Sequence, residues 1–223
     1  VASSSRIGFC AALLKPKGAR LDDACGARLD EALRPLKDAL IAPLQILDDG
    51  SACTVILGGA ERAFDLAVAL GEAAWPIRLR FTLAAAPPAG AAGRDDAVRA
   101  KAQKLLRGMD RSAALRAELP GRSPEECALA DAVARLHRSL TADWTEGRWH
   151  AVRAYRRFGR QADVARELGV TQQAISQMLL GARLRELVAA EDALRAWLAE
   201  PRRTTLWPLK LRSLADGAPA RKN

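Results

Sequence analysis

The chain has 223 residues, a length that suits one large or two small domains, and 49% of them are hydrophobic, enough for a core. Net charge is +9, from 35 Lys and Arg against 26 Asp and Glu. No run is long and apolar enough to span a membrane. The first apolar stretch, residues 7–14, lacks the cationic start and cleavage site of a secretory leader.

Residues 6–14 read as a strand, broken by Lys15-Pro16-Lys17-Gly18. Residues 21–41 carry helical periodicity, with Leu29, Ala32, Leu33, Leu36 and Leu40 on one side. Pro35 within that stretch predicts a kink or two shorter helices. Residues 44–47 and 53–57 read as paired strands, joined through the hairpin signal Asp48-Asp49-Gly50-Ser51. A helix over 60–74 buries Phe64, Leu66, Ala67 and Leu70, and Trp75-Pro76 ends it. Residues 77–83 alternate strictly, as a strand with one wet face does. The order strand, helix, strand, strand, helix, strand is that of the ferredoxin-like split arrangement, and no internal repeat is visible.

Residues 84–93, rich in Ala, Pro and Gly, read as a linker. An amphipathic helix follows over 95–109, and 111–122 gives no clear signal. Ser123-Pro124-Glu125-Glu126 is a strong helix start, with a Ser cap, Pro at the first position and acids in the first turn. That helix runs to about Leu140. Thr145-Glu146 opens another, through Phe158, with Trp149, Val152 and Tyr155 on one face. A last helix spans 184–198, and 202–223 form a basic, Pro-containing tail with Trp207. Trp144, Trp149 and Trp197 stand beside Leu and Val at helical spacing and are expected in the core rather than as base-stacking platforms.

Between these helices lies the most informative stretch, residues 161–178. Val164, Ala165 and Leu168 give a first helix its apolar stripe. Gly169 stands where a helix end favours a left-handed residue, and Ala165 is small enough for a second helix to cross closely. Thr171 is a good N-cap, and Val170 and Ile175 have hydrophobic-staple spacing. Ile175, Met178 and Leu179 point inward. Thr171, Gln172, Gln173, Ser176 and Gln177 remain as candidate base readers, since Gln bonds two edge atoms of adenine and Ser bonds several bases. Arg153, Arg156, Arg157, Arg160, Arg166 and Arg183 surround this helix-turn-helix as candidate phosphate contacts.

Charge supports the same reading. Residues 135–223 hold 17 basic and 9 acidic side chains, whereas residues 1–134 hold 18 and 17. A GC-rich genome accounts for Arg over Lys but not for this asymmetry, which is the footprint of a duplex-binding module. Cys10, Cys25, Cys53 and Cys127 are scattered, and His137 and His150 form no ligand cluster with them. Buried thiols in a reducing cytoplasm are expected, with no metal and no cofactor.

Trp144-Thr145-Glu146 and the run from Ala165 through Gly169 and Thr171 to Ser176 resemble the end of SatD-family proteins. The same stretch is similar to region four of bacterial primary sigma factors. Ser4-Ser5-Arg6 resembles the Ser-Arg of that family's N-terminal motif, and 77–84 with 96–106 resembles its strand-then-helix segment. The resemblance implies a Gly-Asp-Glu-Phe-like hairpin, reminiscent of nucleotidyl cyclases. Here that place falls on Asp48-Asp49-Gly50-Ser51, without the Glu-Phe pair. The acidic residue expected ahead of Ser4 is also missing from a chain that begins at Val1 rather than Met. A two-carboxylate magnesium site is therefore unsupported, and Asp48 and Asp49 are expected to be turn formers.

The expectation is an α+β protein: a ferredoxin-like (βαββαβ) domain over 1–93, a helical connector over 94–140, an all-α helix-turn-helix domain over 141–200 and a basic tail over 201–223. Its expected role is a cytoplasmic, non-enzymatic transcriptional regulator that binds double-stranded DNA, as a homodimer because one short helix reads few base pairs. The alternatives are a nucleotide-handling enzyme targeted by the helix-turn-helix, with Gly58-Gly59 as its only phosphate cradle, and a module contacting the transcription machinery.

Overall fold

The computed structural model describes residues 6–14, 20–21, 23–47, 49–85 and 94–199. The break at 15–18, Asp48, Ser4 and Ser5, most of the 84–93 linker, and the tail with Trp207 lie outside the described residues.

The fold is α+β. A five-stranded sheet has the order β2-β3-β1-β4-β5: β1 is Ile7–Leu13, β2 Leu40–Ile46, β3 Ala52–Leu57, β4 Leu79–Ala85 and β5 Leu115–Glu118. All neighbours are antiparallel except β4 and β5, which are parallel. The helix α1 (Asp23–Leu33) links β1 to β2 through a 3-10 segment, Arg34–Ala39, and α2 (Ala63–Ala74) links β3 to β4. The hairpin between β2 and β3 forms on its sequence signal. Asp49 accepts from the amide and hydroxyl of Ser51, at 2.8 and 2.7 Å, and Gly50 takes a left-handed φ of 65°.

Three expectations need correction. The helical run over 21–41 stops at Leu33; Pro35 enters the 3-10 segment, and Leu40 and Ile41 already belong to β2. The alternation that predicted one wet face on β4 does not hold, because a further helix covers the second face of the sheet. This is α3 (Arg94–Arg107), which packs on β1 and β4. Small residues let it approach: a Cβ at Gly8 would lie 2.6 Å from the Val98 carbonyl, and Ala12, Ala52, Ala84 and Ala102 share that interface. Thr82 and Thr54, buried on this face, bond to the Ala102 carbonyl (2.8 Å) and Arg99 (2.7 Å). Finally, the stretch read as a helical connector also supplies β5, the edge strand next to β4.

The other face of the sheet packs Phe9, Leu13, Val55, Leu57 and Leu83 against α1 and α2. This core continues into α4 (Pro124–Ala142) through Ala130 and Ala134, and into the C-terminal half of α8 (Leu184–Ala199) through Leu194 and Leu198. Helix α4 starts with a full capping box between Ser123 and Glu126. Its Asp131 accepts from the amides of Ala114 and Leu115, at 2.8 and 2.9 Å, which pins the entry to β5. A second core joins α5 (Glu146–Phe158), α6 (Gln161–Leu168), α7 (Gln172–Gly181) and the start of α8, built from Trp144, Val152, Val164, Ile175, Leu179 and Leu187. Among the described residues, no helix is long and apolar enough to cross a membrane.

Candidate nucleic-acid interface

Two left-handed glycines shape this unit. Gly159 (φ 73°) ends α5 and Gly169 (φ 66°) ends α6. A Cβ at Gly169 would meet no neighbouring atom, so the backbone angle alone explains this glycine. Val170 then turns the chain, its amide bonded to the Ala165 carbonyl at 3.0 Å. Thr171 caps α7, its hydroxyl accepting from the Ala174 amide at 3.1 Å. Ile175 and Leu179 are buried against α5 and α6, with Met178 half-buried beside them.

That packing fixes which side of α7 faces out. Thr171, Gln172, Gln173, Ser176 and Gln177 are all exposed. They form a polar, uncharged first turn and a half, flanked further along by Leu180, which is 72% exposed.

The arginines divide into two groups. Arg153 and Arg157 are exposed and lie over the rings of Trp149 and Phe158, at 4.6 and 5.0 Å. Arg160 precedes α6 and is exposed. Arg166 is 79% exposed and bonds Asp163 at 3.1 Å, and exposed Arg183 holds a left-handed φ of 52° at the turn into α8. Arg156 is different. Its Nε lies 2.7 Å from Glu72 and its two Nη atoms lie 2.9 and 2.5 Å from Glu191. Its guanidinium edges are thus engaged by two carboxylates, which sets it apart from the other five arginines.

Glu191 is the residue that sequence reasoning missed. No part of its side chain is exposed. It also bonds His137 at 3.0 Å and Arg195 at 3.1 Å, and Arg195 reaches Asp65 at 2.6 Å. Burial alone would raise the Glu191 carboxyl, but donation from His137 and Arg156 holds it down to about 2. At Glu72, burial pushes the carboxyl up, and Arg156 only partly counters it. This network ties α2 to α4, α5 and α8. The signal was present in the sequence: Leu187, Glu191, Leu194 and Leu198 share one helical face, and one of the four is charged.

The described tryptophans take structural places. Trp144 is buried and donates to the Ala182 carbonyl at 3.3 Å. Trp149 stacks on Trp75 at 5.0 Å and donates to the Glu72 carbonyl at 3.1 Å, so α5 rests on the end of α2. Trp197 is half-buried against the first core. Cys10 and Cys53 are buried, and burial pushes both thiols up to about 12, away from nucleophilic chemistry.

No family model matches the chain, and no curated protein matches it. The resemblance to the SatD family therefore stands on the residues quoted above. Among solved structures, the regulator of polyketide synthase expression from Bifidobacterium adolescentis is similar at 13% identity. The match covers 88% of this chain and 82% of that one, with a TM-score of 0.26. A superposition that loose carries no inference about function.

Proposed function

We propose that the chain is a sequence-specific DNA-binding protein, a transcriptional regulator that reads the major groove with α7. The observation that carries this reading is the outer face of α7: Gln172, Gln173, Ser176 and Gln177 stand exposed on a helix whose other side is locked into a core. Residues with these donors and acceptors, at the start of the second helix of such a pair, fit base edges. Arg153, Arg157, Arg160, Arg166 and Arg183 surround them as phosphate contacts. Strands β1 to β4, with α1 and α2, are read as a ferredoxin-like body carrying the helix-turn-helix. In this reading a homodimer supplies the second reading helix, and the protein acts at a promoter in a bacterial cytoplasm, as the SatD and sigma-factor resemblance suggests.

The enzymatic reading has less to support it. Asp49 is occupied by Ser51, and the Glu61 carboxylate lies against Gly59, where it would repel a phosphate. Contact with the transcription machinery is the second reading, favoured by exposed Leu180 beside Gln177.

Fluorescence anisotropy with duplex DNA over a salt series tests the proposal. Binding is expected to weaken with a log–log slope of about −0.9 for each phosphate neutralised. On a selected site, Gln172→Ala/Gln173→Ala is expected to lose preference by roughly 10-fold or more while keeping non-specific affinity. Absence of duplex binding at low salt would overturn the reading in favour of a protein partner.

A further inference from the structure

A cavity of about 200 Å³ lies where the sheet body meets the helix-turn-helix unit, between α2, β4, α4 and α5. Phe64, Trp75, Phe81, Trp144 and Trp149 line it. A cavity of about 150 Å³ already takes benzene, so this one has room for one or two fused rings. One residue of α2 presents no side chain to it. Gly71 lies in the helix interior, where glycine is less favourable than alanine. It lines the cavity, and a Cβ added there would meet nothing within 4 Å. Neither a turn nor a close approach explains this glycine.

The cavity also has a cationic wall. Arg78 and Arg138 line it, and both bond only backbone carbonyls: Arg78 to Ala142 at 2.8 Å, Arg138 to Ala113 and Ser112 at 3.0 and 2.5 Å. Neither has a carboxylate in ion-pair range among the described residues. Asp131, the acid whose charge Arg138 feels, is already held by Arg135 at 3.2 Å and by two amides. Burial, with smaller contributions of like charge from Arg135, Arg78 and Arg80, holds the Arg138 guanidinium below its usual range. An anion at this wall would relieve that repulsion. Glu72, which also lines the cavity, is paired with Arg156 at 2.7 Å.

We propose that this cavity is a ligand site for a small flat aromatic carboxylate, its rings among the tryptophans and phenylalanines and its carboxylate at Arg78 and Arg138. Such a molecule would touch α2 and α5 together. It is the effector site of the regulator proposed above, and it rests on that reading for its consequence but not for binding.

Titration calorimetry with 2-naphthoate, and with neutral 2-naphthamide, tests it without DNA present. Naphthoate is expected to bind one to one and at least 10-fold more tightly than the amide. Arg78→Gln, at the exposed rim, is expected to weaken naphthoate roughly 10-fold and the amide by less than about 2-fold. Gly71→Leu fills the space and is expected to abolish binding, with Gly71→Ala as the control for the fold. No heat from naphthoate at millimolar concentration overturns the site. So does equal binding of the two probes, or unchanged naphthoate affinity in either Arg78→Gln or a folded Gly71→Leu. Failure of duplex binding, measured separately, would overturn the DNA reading and leave this result standing.

Discussion

Glu191 is a carboxylate with no exposed side-chain surface, set among leucines, and three cationic or donor side chains converge on it. Removing one partner of such a buried cluster costs about 3–5 kcal/mol, because the others are left desolvated. Glu191→Ala is therefore expected to lower stability by about that amount in urea denaturation. The pH dependence has a defined sign. In the fold the carboxyl titrates at about 2, below its ordinary value of 4.5. Its contribution is thus fully present above 4.5 and is lost as pH falls through about 2, worth roughly 3 kcal/mol over that window. Glu72 shifts the other way, so its contribution is largest in acid and is lost as pH rises through its folded value. Between pH 4.5 and 2, wild-type stability is expected to fall more steeply than that of Glu191→Gln; parallel curves would show that another carboxylate governs acid unfolding.

Among the elements, those that local chemistry sets were legible in the sequence and those that distant contacts set were not. The turn between α6 and α7 follows from Gly169, Thr171 and the apolar spacing, all within a dozen residues, and it forms as expected. The start of α4 at Ser123 is of the same kind. The strand β5 has only four residues, two of them charged, and it exists because β4 lies beside it and Asp131 holds its first amides. The start of β2 was hidden because Leu36 and Leu40 continue a helical spacing past Pro35. The wet face expected on β4 disappeared because α3, separated from β4 by eight residues of chain, folds back over it. Likewise, no local rule places Arg156 beside Glu72 and Glu191. The turn also makes a prediction of its own. Thr171→Ala removes the only side-chain cap of α7 and is expected to cost about 1 kcal/mol. Gly169→Ala puts a Cβ at φ 66° and is expected to cost about 1–2 kcal/mol, although the space around it is open. Thermal melts check both; a Gly169→Ala variant as stable as wild type would mean that the turn relaxes to another backbone conformation.

At the scale of the molecule, α8 joins the two cores. Leu187 lies in the core of the helix-turn-helix unit, whereas Leu194 and Leu198, two to three turns on, lie in the core of the sheet body. Glu191, between them, fixes α8 to α4 and α5, and Arg195 fixes it to α2. The stacking of Trp149 on Trp75 closes the joint from the other side. A rigid helix shared by two cores makes it hard for one to unfold alone, since melting either end of α8 exposes leucines of the other and breaks a buried ion pair. The two units are accordingly expected to unfold in one transition, with tryptophan fluorescence coinciding with far-UV circular dichroism. Leu194→Ala should destabilise by about 2–5 kcal/mol and shift both signals together, although the residue belongs to the sheet-side core. Two separated transitions, with only the sheet unit shifted by Leu194→Ala, would instead show that α8 bends freely at its centre. The helix-turn-helix would then be a tethered module, and a molecule held in the cavity between α2 and α5 would have no rigid path to it.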